Sequence, residues 1–256
     1  MRILLVSMNG LSENCSGSVR NQALVMGLHA LGHRIDTLCL KQAENARAYD
    51  PTMDRVSKII ENAYPLQFSP IYERFRAKSD VVPRGGGGGS DCLNLKSLLK
   101  KLFYSIFLYE PQGLNIQNLR LVEGINFSDY DLIISSSDPK ASHRLGEEVK
   151  KRAPQAKWVQ YWGDPMLLDM TKHFTGLRKI RVRREEARLL SMADGVVYVS
   201  PFTMQVQKET FPDAAAKMFW VNQAAMPTER VITPNRGNVP ADIFSIGYFG
   251  QYTDTI

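Results

Sequence analysis

The sequence predicts an α/β fold with a doubly wound, mostly parallel, Rossmann-like sheet. Two observations carry that prediction. Short, almost continuous apolar runs alternate along the chain with segments of helical periodicity, and strands buried on both faces have this composition. Glycines and helix-capping residues sit where one kind of segment gives way to the other.

The first unit reads as β–α–β. Arg2–Met8 is a β-rich run, and Arg34–Leu40 is another. Between them Leu24, Val25, Leu28 and Leu31 recur at helical spacing, and Gly32 follows at the position of a left-handed C-cap. A strand, a helix and a strand in so short a span imply parallel strands joined by a crossover. The alternation resumes with a strand at Asp131–Ser137 and a helix at Pro139–Arg152, with Asp138 placed as its N-cap. Lys157–Trp162 is the next strand, Leu177–Met192 a long charged helix and Gly195–Ser200 a strand. Pro201 opens another helix, and Lys217–Val221 is a last short strand.

Residues 41 to 128 are less regular. Within them the run at 83–90 holds five glycines and a serine. It reads as a flexible linker, either a natural disordered loop or an engineered replacement. Its glycines lack the Lys-Ser or Lys-Thr that would close a phosphate loop. Leu95–Tyr109 is amphipathic, with apolar residues on one helical face and Lys96, Lys100 and Lys101 elsewhere. Two readings stay open: a domain helix with a solvated lysine face, or a basic helix in peripheral contact with an anionic membrane.

Domain organisation follows from composition. Residues 1–225 form the Rossmann-like domain. The proline-rich stretch 226–243 reads as an interdomain connection. Residues 244–256 read as the first strand of a second domain that the chain does not contain, because Phe244–Gly250 is an apolar strand running into a glycine turn.

Composition narrows the function classes. At 44% apolar and 23% charged residues, the 256-residue chain is an ordinary globular one. Three cysteines (Cys15, Cys39, Cys92) without CxxC spacing fit a reducing, cytoplasmic setting and no zinc site. A net charge of +6 favours anionic partners. No RNP-like or zinc-finger pattern accompanies it, so nucleic acid is not expected. HExxH and GxSxG are absent, as are GxGxxG and the P-loop. A nucleotide-sugar epimerase needs GxxGxxG after strand one and a YxxxK pair, and neither occurs.

In an open parallel sheet, ligands gather beyond the carboxyl ends of the strands. Five loops lie there. In Asn9–Ser18, Gly17 and Ser18 sit at a helix N-terminus suited to a phosphate, and Arg20 can add a cation. The bland alternatives are a long turn without ligand and an arginine facing solvent. In Ser135–Pro139, Asp138 is a candidate base or only a helix cap, and His143 is more simply a packed residue. In Tyr161–Pro165, Tyr161 and Trp162 offer rings to a sugar's C–H faces and Asp164 accepts hydroxyl hydrogen bonds; the alternative is an Asp-Pro turn beside a structural tryptophan. Ser200 caps a helix, and Asn222 and Gln223 complete the set.

The order of these parts resembles the N-terminal half of a GT-B glycosyltransferase of the family 4 type. The residues that carry the resemblance are the opening RILLVS, the loop ending Ser16-Gly17-Ser18, and Leu28-His29-Ala30-Leu31-Gly32-His33-Arg34-Ile35. They continue in YDLIISSS, in Arg184–Ala187 through Ala193-Asp194-Gly195-Val196-Val197-Tyr198-Val199-Ser200, and in Ile246–Gly250. The resemblance implies a nucleotide-sugar donor held mainly by the second domain, with no cofactor or metal required. It also implies a glycan or lipid-linked acceptor on the first domain, in bacterial cell-envelope polysaccharide synthesis. The protein would then be cytoplasmic or peripheral at the inner membrane face, and inactive as this fragment alone. Gly17, Ser18 and Arg20 would face the donor phosphates. Asp138 and Asp164 would serve catalysis, with Tyr161, Trp162 and Asp164 holding the acceptor. Two departures stand out. Asp138 lies where many relatives carry a histidine, and no glutamate here has another eight positions later, so the family's E-x7-E donor motif is absent. The competing expectation is a non-catalytic Rossmann-like module that binds a ligand or a partner.

Overall fold

The computed structural model describes residues 1–41, 49–79 and 109–224. The glycine run at 83–90, most of Leu95–Tyr109, the connection at 226–243 and the strand at 244–256 lie outside the described residues.

Seven strands form one sheet in the order β3-β2-β1-β4-β5-β6-β7, and every pair is parallel. The strands are β1 (Arg2–Ser7), β2 (Arg34–Leu40), β3 (Ala63–Leu66), β4 (Leu132–Ser136), β5 (Lys157–Trp162), β6 (Gly195–Tyr198) and β7 (Met218–Trp220). The α-helices are α1 (Ser16–Ala30), α2 (Pro70–Ser79), α3 (Ala141–Arg152), α4 (Gly176–Met192) and α5 (Pro201–Thr210), with 3-10 turns such as Pro111–Leu121 between them. This is the doubly wound, Rossmann-like arrangement that the sequence predicts. The strand order reverses between β1 and β4, where crossovers leave toward opposite faces and open a crevice.

Two cores follow from the pleat of β1. Ile3 and Leu5 point to one face and pack with Val25 of α1, Ile35 and Ile134. Leu4 and Val6 point to the other and join Leu38, Ile133, Leu145, Val149, Leu189 and Leu190, from strands, α3 and α4. Both parities are apolar because both faces are covered. The C-terminus of α1 closes as expected: Gly32 has φ +80, and its N–H donates to the His29 carbonyl.

Three departures from the sequence reading have physical causes. β3 lies in the irregular stretch and carries Pro65, which an edge strand tolerates because one side of it owes no ladder hydrogen bond. α2 follows it, a charged decapeptide without a clear apolar stripe. The third helix starts at Ala141, not Pro139, and Asp138 does not cap it. That N-terminus is served from a distance: the Ala141 N–H donates to the Glu110 carboxylate at 3.0 Å.

Candidate functional site

The loops after β1, β4 and β5 are laced together by hydrogen bonds. The Asn9 side-chain amide donates to the Asp138 carbonyl at 2.7 Å, joining the first loop to the second. The Gly163 N–H donates to Ser137 Oγ at 3.1 Å, joining the second to the third. The Met8 N–H donates to Ser142 Oγ at 2.9 Å, pinning the end of β1 to the start of α3. Gly17, Asp138 and Asp164 therefore line a common edge, the carboxyl edge of the sheet.

Arg20 is the dominant feature of that edge. It leaves the second turn of α1 and is only 6% exposed. Its guanidinium lies 5.7 Å from the centre of the Tyr161 ring. It also fills the space beside Gly163, where a Cβ would stand 2.5 Å from Nη1, so a side chain at position 163 would displace the guanidinium. Among the described residues Arg20 has no carboxylate partner, and its buried Nε has no hydrogen-bond acceptor. A guanidinium cannot lose its proton, so this is a buried positive charge with no ion-pair partner among the described residues. The adjacent N-terminus of α1 adds to the field. Its N-cap residue, Cys15, makes no side-chain capping bond, and no acidic residue stands in the first turn.

Gly17 and Ser18 play more structural parts than expected. A Cβ on Gly17 would lie 2.6 Å from Asn9 Nδ2 and 2.9 Å from the Asp138 carbonyl. The missing side chain thus admits the neighbouring loops, and that side of Gly17 is already filled. The Ser18 hydroxyl is buried and donates to the Gly10 carbonyl at 2.6 Å, folding the loop back on itself. What these positions still offer an anion is backbone N–H.

The aromatic pair needs a correction. Trp162 is 0% exposed. One neighbour is the His143 ring, stacked at 3.9 Å, and another is Tyr198 at 6.4 Å, while the indole N–H donates to Gln160 Oε1 at 3.0 Å. It presents no surface for a sugar to stack on. Its place in the sequence misleads because Trp162 is the last residue of a central strand covered on both faces, not the first of a loop. Tyr161 is likewise buried; it underlies Arg20, and its hydroxyl accepts the Ala224 N–H at 3.2 Å.

Asp138 and Asp164 remain at the surface of the crevice. Asp138 forms an ion pair with Lys140, which is almost fully buried and lies 3.7 Å from Asp169. Burial pulls the Lys140 ammonium down, but the charges of Asp138 and Asp169 outweigh it and hold its pKa above the ordinary value. Desolvation in the crevice, then the charge of Asp138, push the Asp164 carboxyl up, against the opposing pull of Lys140 and Arg20. The Asp164 side chain is itself open to solvent, which screens these effects. His143 is a packed histidine, as the bland reading has it. It is fully buried, bonded through Nδ1 to Ser135 Oγ at 2.8 Å, and held neutral by burial and by the charges of Lys140 and Arg20.

Sequence reasoning missed the groups beneath these loops. Glu186 on α4 is 0% exposed, and its two oxygens accept the N–H groups of Met166 and Leu167 at 3.1 and 2.8 Å. It therefore fixes the chain just after Asp164. Burial pushes its carboxyl up to about 7, although both backbone bonds pull it down. Lys140 adjoins Asp138-Pro139 in sequence and could have been found there. Nothing local marks Glu110, and Glu186 lies in the Arg184–Ala187 stretch that entered only as part of the resemblance. Among the described residues no group of His, Cys, Asp and Glu side chains could hold a metal ion, and no helix is long and apolar enough to cross a membrane.

No protein-family model matches the chain, and no curated protein sequence matches it. Solved structures are similar at low identity. Sucrose-phosphate synthase from Thermosynechococcus elongatus has 15% identity and a TM-score of 0.49 over 87% of this chain and 48% of its own. Arabidopsis thaliana UGT89C1, complexed with UDP-L-rhamnose, has 13% identity and a TM-score of 0.48 over 89% of this chain and 49% of its own. Anabaena HepE, in complex with UDP and glucose, has 14% identity and a TM-score of 0.46 over 87% of this chain and 44% of its own. The chain thus spans about half the length of each of these structures.

Proposed function

We propose that this chain is the acceptor-side half of a glycosyltransferase that moves a sugar from a nucleoside-diphosphate sugar to a hydroxyl of a glycan or lipid-linked acceptor. The observation that carries the reading is Arg20, a buried guanidinium without a carboxylate partner among the described residues, beside an uncapped helix N-terminus at the carboxyl edge of the sheet. That pairing suits the diphosphate of a donor.

In this reading the acceptor O–H attacks the anomeric carbon, the bond from that carbon to the diphosphate oxygen breaks, and the hydroxyl proton leaves to a base or to water. Negative charge grows on the departing diphosphate. Arg20 and the first N–H groups of α1 stabilise that charge without reorganising, because packing against Tyr161 and Gly163 already holds the guanidinium. Asp164, whose raised pKa favours proton acceptance, receives the acceptor hydroxyl's hydrogen bond and then its proton. Asp138 pairs with Lys140 and shapes the field beside Asp164. Tyr161 and Trp162 support the site from beneath. The nucleoside is held by a second Rossmann-like half, and the 256-residue chain alone binds nucleotide-sugars weakly and does not turn them over. A role in cell-envelope polysaccharide assembly belongs to the same proposal.

The test is a transfer assay on the whole gene product with a panel of nucleotide-sugars, read as release of nucleoside diphosphate. Asp164→Asn is expected to lower kcat by about 100-fold or more, the scale of lost general-base catalysis, with the thermal midpoint unchanged. Undiminished turnover in that variant would remove Asp164 from the site. Micromolar donor binding by the isolated 256-residue chain, seen by calorimetry, would contradict the division of labour between halves.

A further inference from the structure

The second basic feature of the molecule lies on the outside of α4. From Met170 to Arg184 the chain reads MTKHFTGLRKIRVRR, a stretch with no Asp or Glu. α4 buries Val182, Glu186, Leu189 and Leu190 against the sheet. At 100° per residue the opposite face carries Leu177, Ile180, Arg181, Arg184 and Arg188. Its start is apolar and exposed: Leu177 is 77% accessible, Ile180 49%, and Met170 in the preceding loop 94%. The rest is cationic. Arg181, Arg184 and Arg188 line a groove of about 290 Å³ with Arg144 of α3 and a single acidic residue, Glu185. Arg144 pairs with Glu185 at 3.1 Å, and Arg188 pairs with Glu147. Arg184 has no carboxylate partner among the described residues.

We propose that this face of α4, with the loop before it, docks on an anionic lipid bilayer. Met170, Leu177 and Ile180 enter the boundary between headgroups and acyl chains, and Arg181 and Arg184, beside Arg144, lie against lipid phosphates. Large aliphatic side chains in contact with water, beside a run of cations, are the two components of interfacial binding: apolar burial and attraction to anionic headgroups. Nucleic acid would reward the arginines but leave Met170, Leu177 and Ile180 in water. The orientation also has a consequence. A helix that follows a parallel strand starts at the strand's carboxyl edge, so the apolar end of α4 lies on the edge that bears Arg20 and Asp164. Docking sets the mouth of the crevice at the lipid surface. The surface stands on its own geometry and does not depend on the transfer reaction.

The experiment is co-sedimentation of the 256-residue chain with vesicles of phosphatidylcholine alone and of equal parts phosphatidylcholine and phosphatidylglycerol. Retention is expected on the anionic vesicles only, and it weakens as salt is raised. Joint replacement Arg181→Ser with Arg184→Ser is expected to weaken retention roughly 30-fold, from the usual contribution of each arginine near an anionic surface. Met170→Glu, in an exposed loop position that cannot upset the core, is expected to weaken it as well, and circular dichroism would show all variants folded. Equal retention on neutral vesicles overturns the proposal, as does full retention of the variants on anionic ones. So does binding of a DNA oligonucleotide, lost in the arginine variant, by a chain that binds neither vesicle.

Discussion

At the scale of single residues, Arg20 separates a functional from a structural explanation. A buried cation kept for the fold has a partner; Arg20 has the face of Tyr161 and the backbone of Gly163, and its Nε is unsatisfied. Burying such a charge costs the folded state several kcal/mol, offset in part by the contact with the ring. Arg20→Met keeps most of the packing and removes the charge. It is expected to stabilise the chain by about 1 kcal/mol or more in urea denaturation, and to lower transfer by the whole gene product by about 100-fold or more. Loss of stability together with intact transfer would make Arg20 a structural residue. The location of this group was legible in the sequence, because a residue one turn into the first helix of a Rossmann-like unit faces the ligand edge. Its burial was not, since that depends on a glycine far away at position 163. Trp162 shows the same limit in reverse: its type suggested a sugar platform, and only packing against His143 and Tyr198 reveals a core residue.

At the scale of elements, the strands that were readable are those covered on both faces, since their apolar runs need no partner to be recognised. β1, β2, β4, β5 and β6 are of this kind; β7, an edge strand with two of its three residues exposed, was legible as well. β3 escaped because four residues with a proline carry no pattern that distinguishes an edge strand from a loop. Helix starts were harder, because a capping group need not be local. Asp138 has the chemistry of a cap and the position for one, yet its carboxylate is taken by Lys140, and the α3 terminus draws on Glu110 instead. Glu110→Ala is therefore expected to cost about 1 kcal/mol of stability, the usual value of a lost cap, and Glu110→Gln, which keeps an acceptor oxygen, to recover most of it. Equal midpoints for the three proteins in urea denaturation would show that the long-range cap contributes nothing.

At the scale of the whole molecule, the carboxylates pull stability in opposite directions with pH. Glu147, Asp169 and Asp194 are held below their ordinary values against burial: Glu147 by Arg188 and Lys151, Asp169 by Thr171 and then Lys140 and Lys172, and Asp194 by the Trp158 N–H and its lysines. The stability they contribute is present above the unfolded-state carboxylate pKa and is lost as pH falls through their folded values. Glu186 has the reverse sign. Its folded value is raised from 4.5 to about 7, so the folded chain holds a proton that the unfolded chain has released. Its contribution is complete below 4.5 and is lost as pH rises through about 7, and the difference is worth about 3 kcal/mol by linkage. Stability is thus expected to peak in mildly acidic solution and to decline toward neutrality. Glu186→Gln cannot ionise, so it should flatten the decline between pH 5 and pH 7 whatever it does to the absolute level. Because Glu186 holds the backbone of Met166 and Leu167, two residues past Asp164, the same titration loads the loop that carries the proposed base. Urea denaturation across that range, for the parent and the variant, decides the matter: parallel curves would mean that Glu186 is already ionised in the fold at mildly acidic pH and that the two N–H donors outweigh its burial.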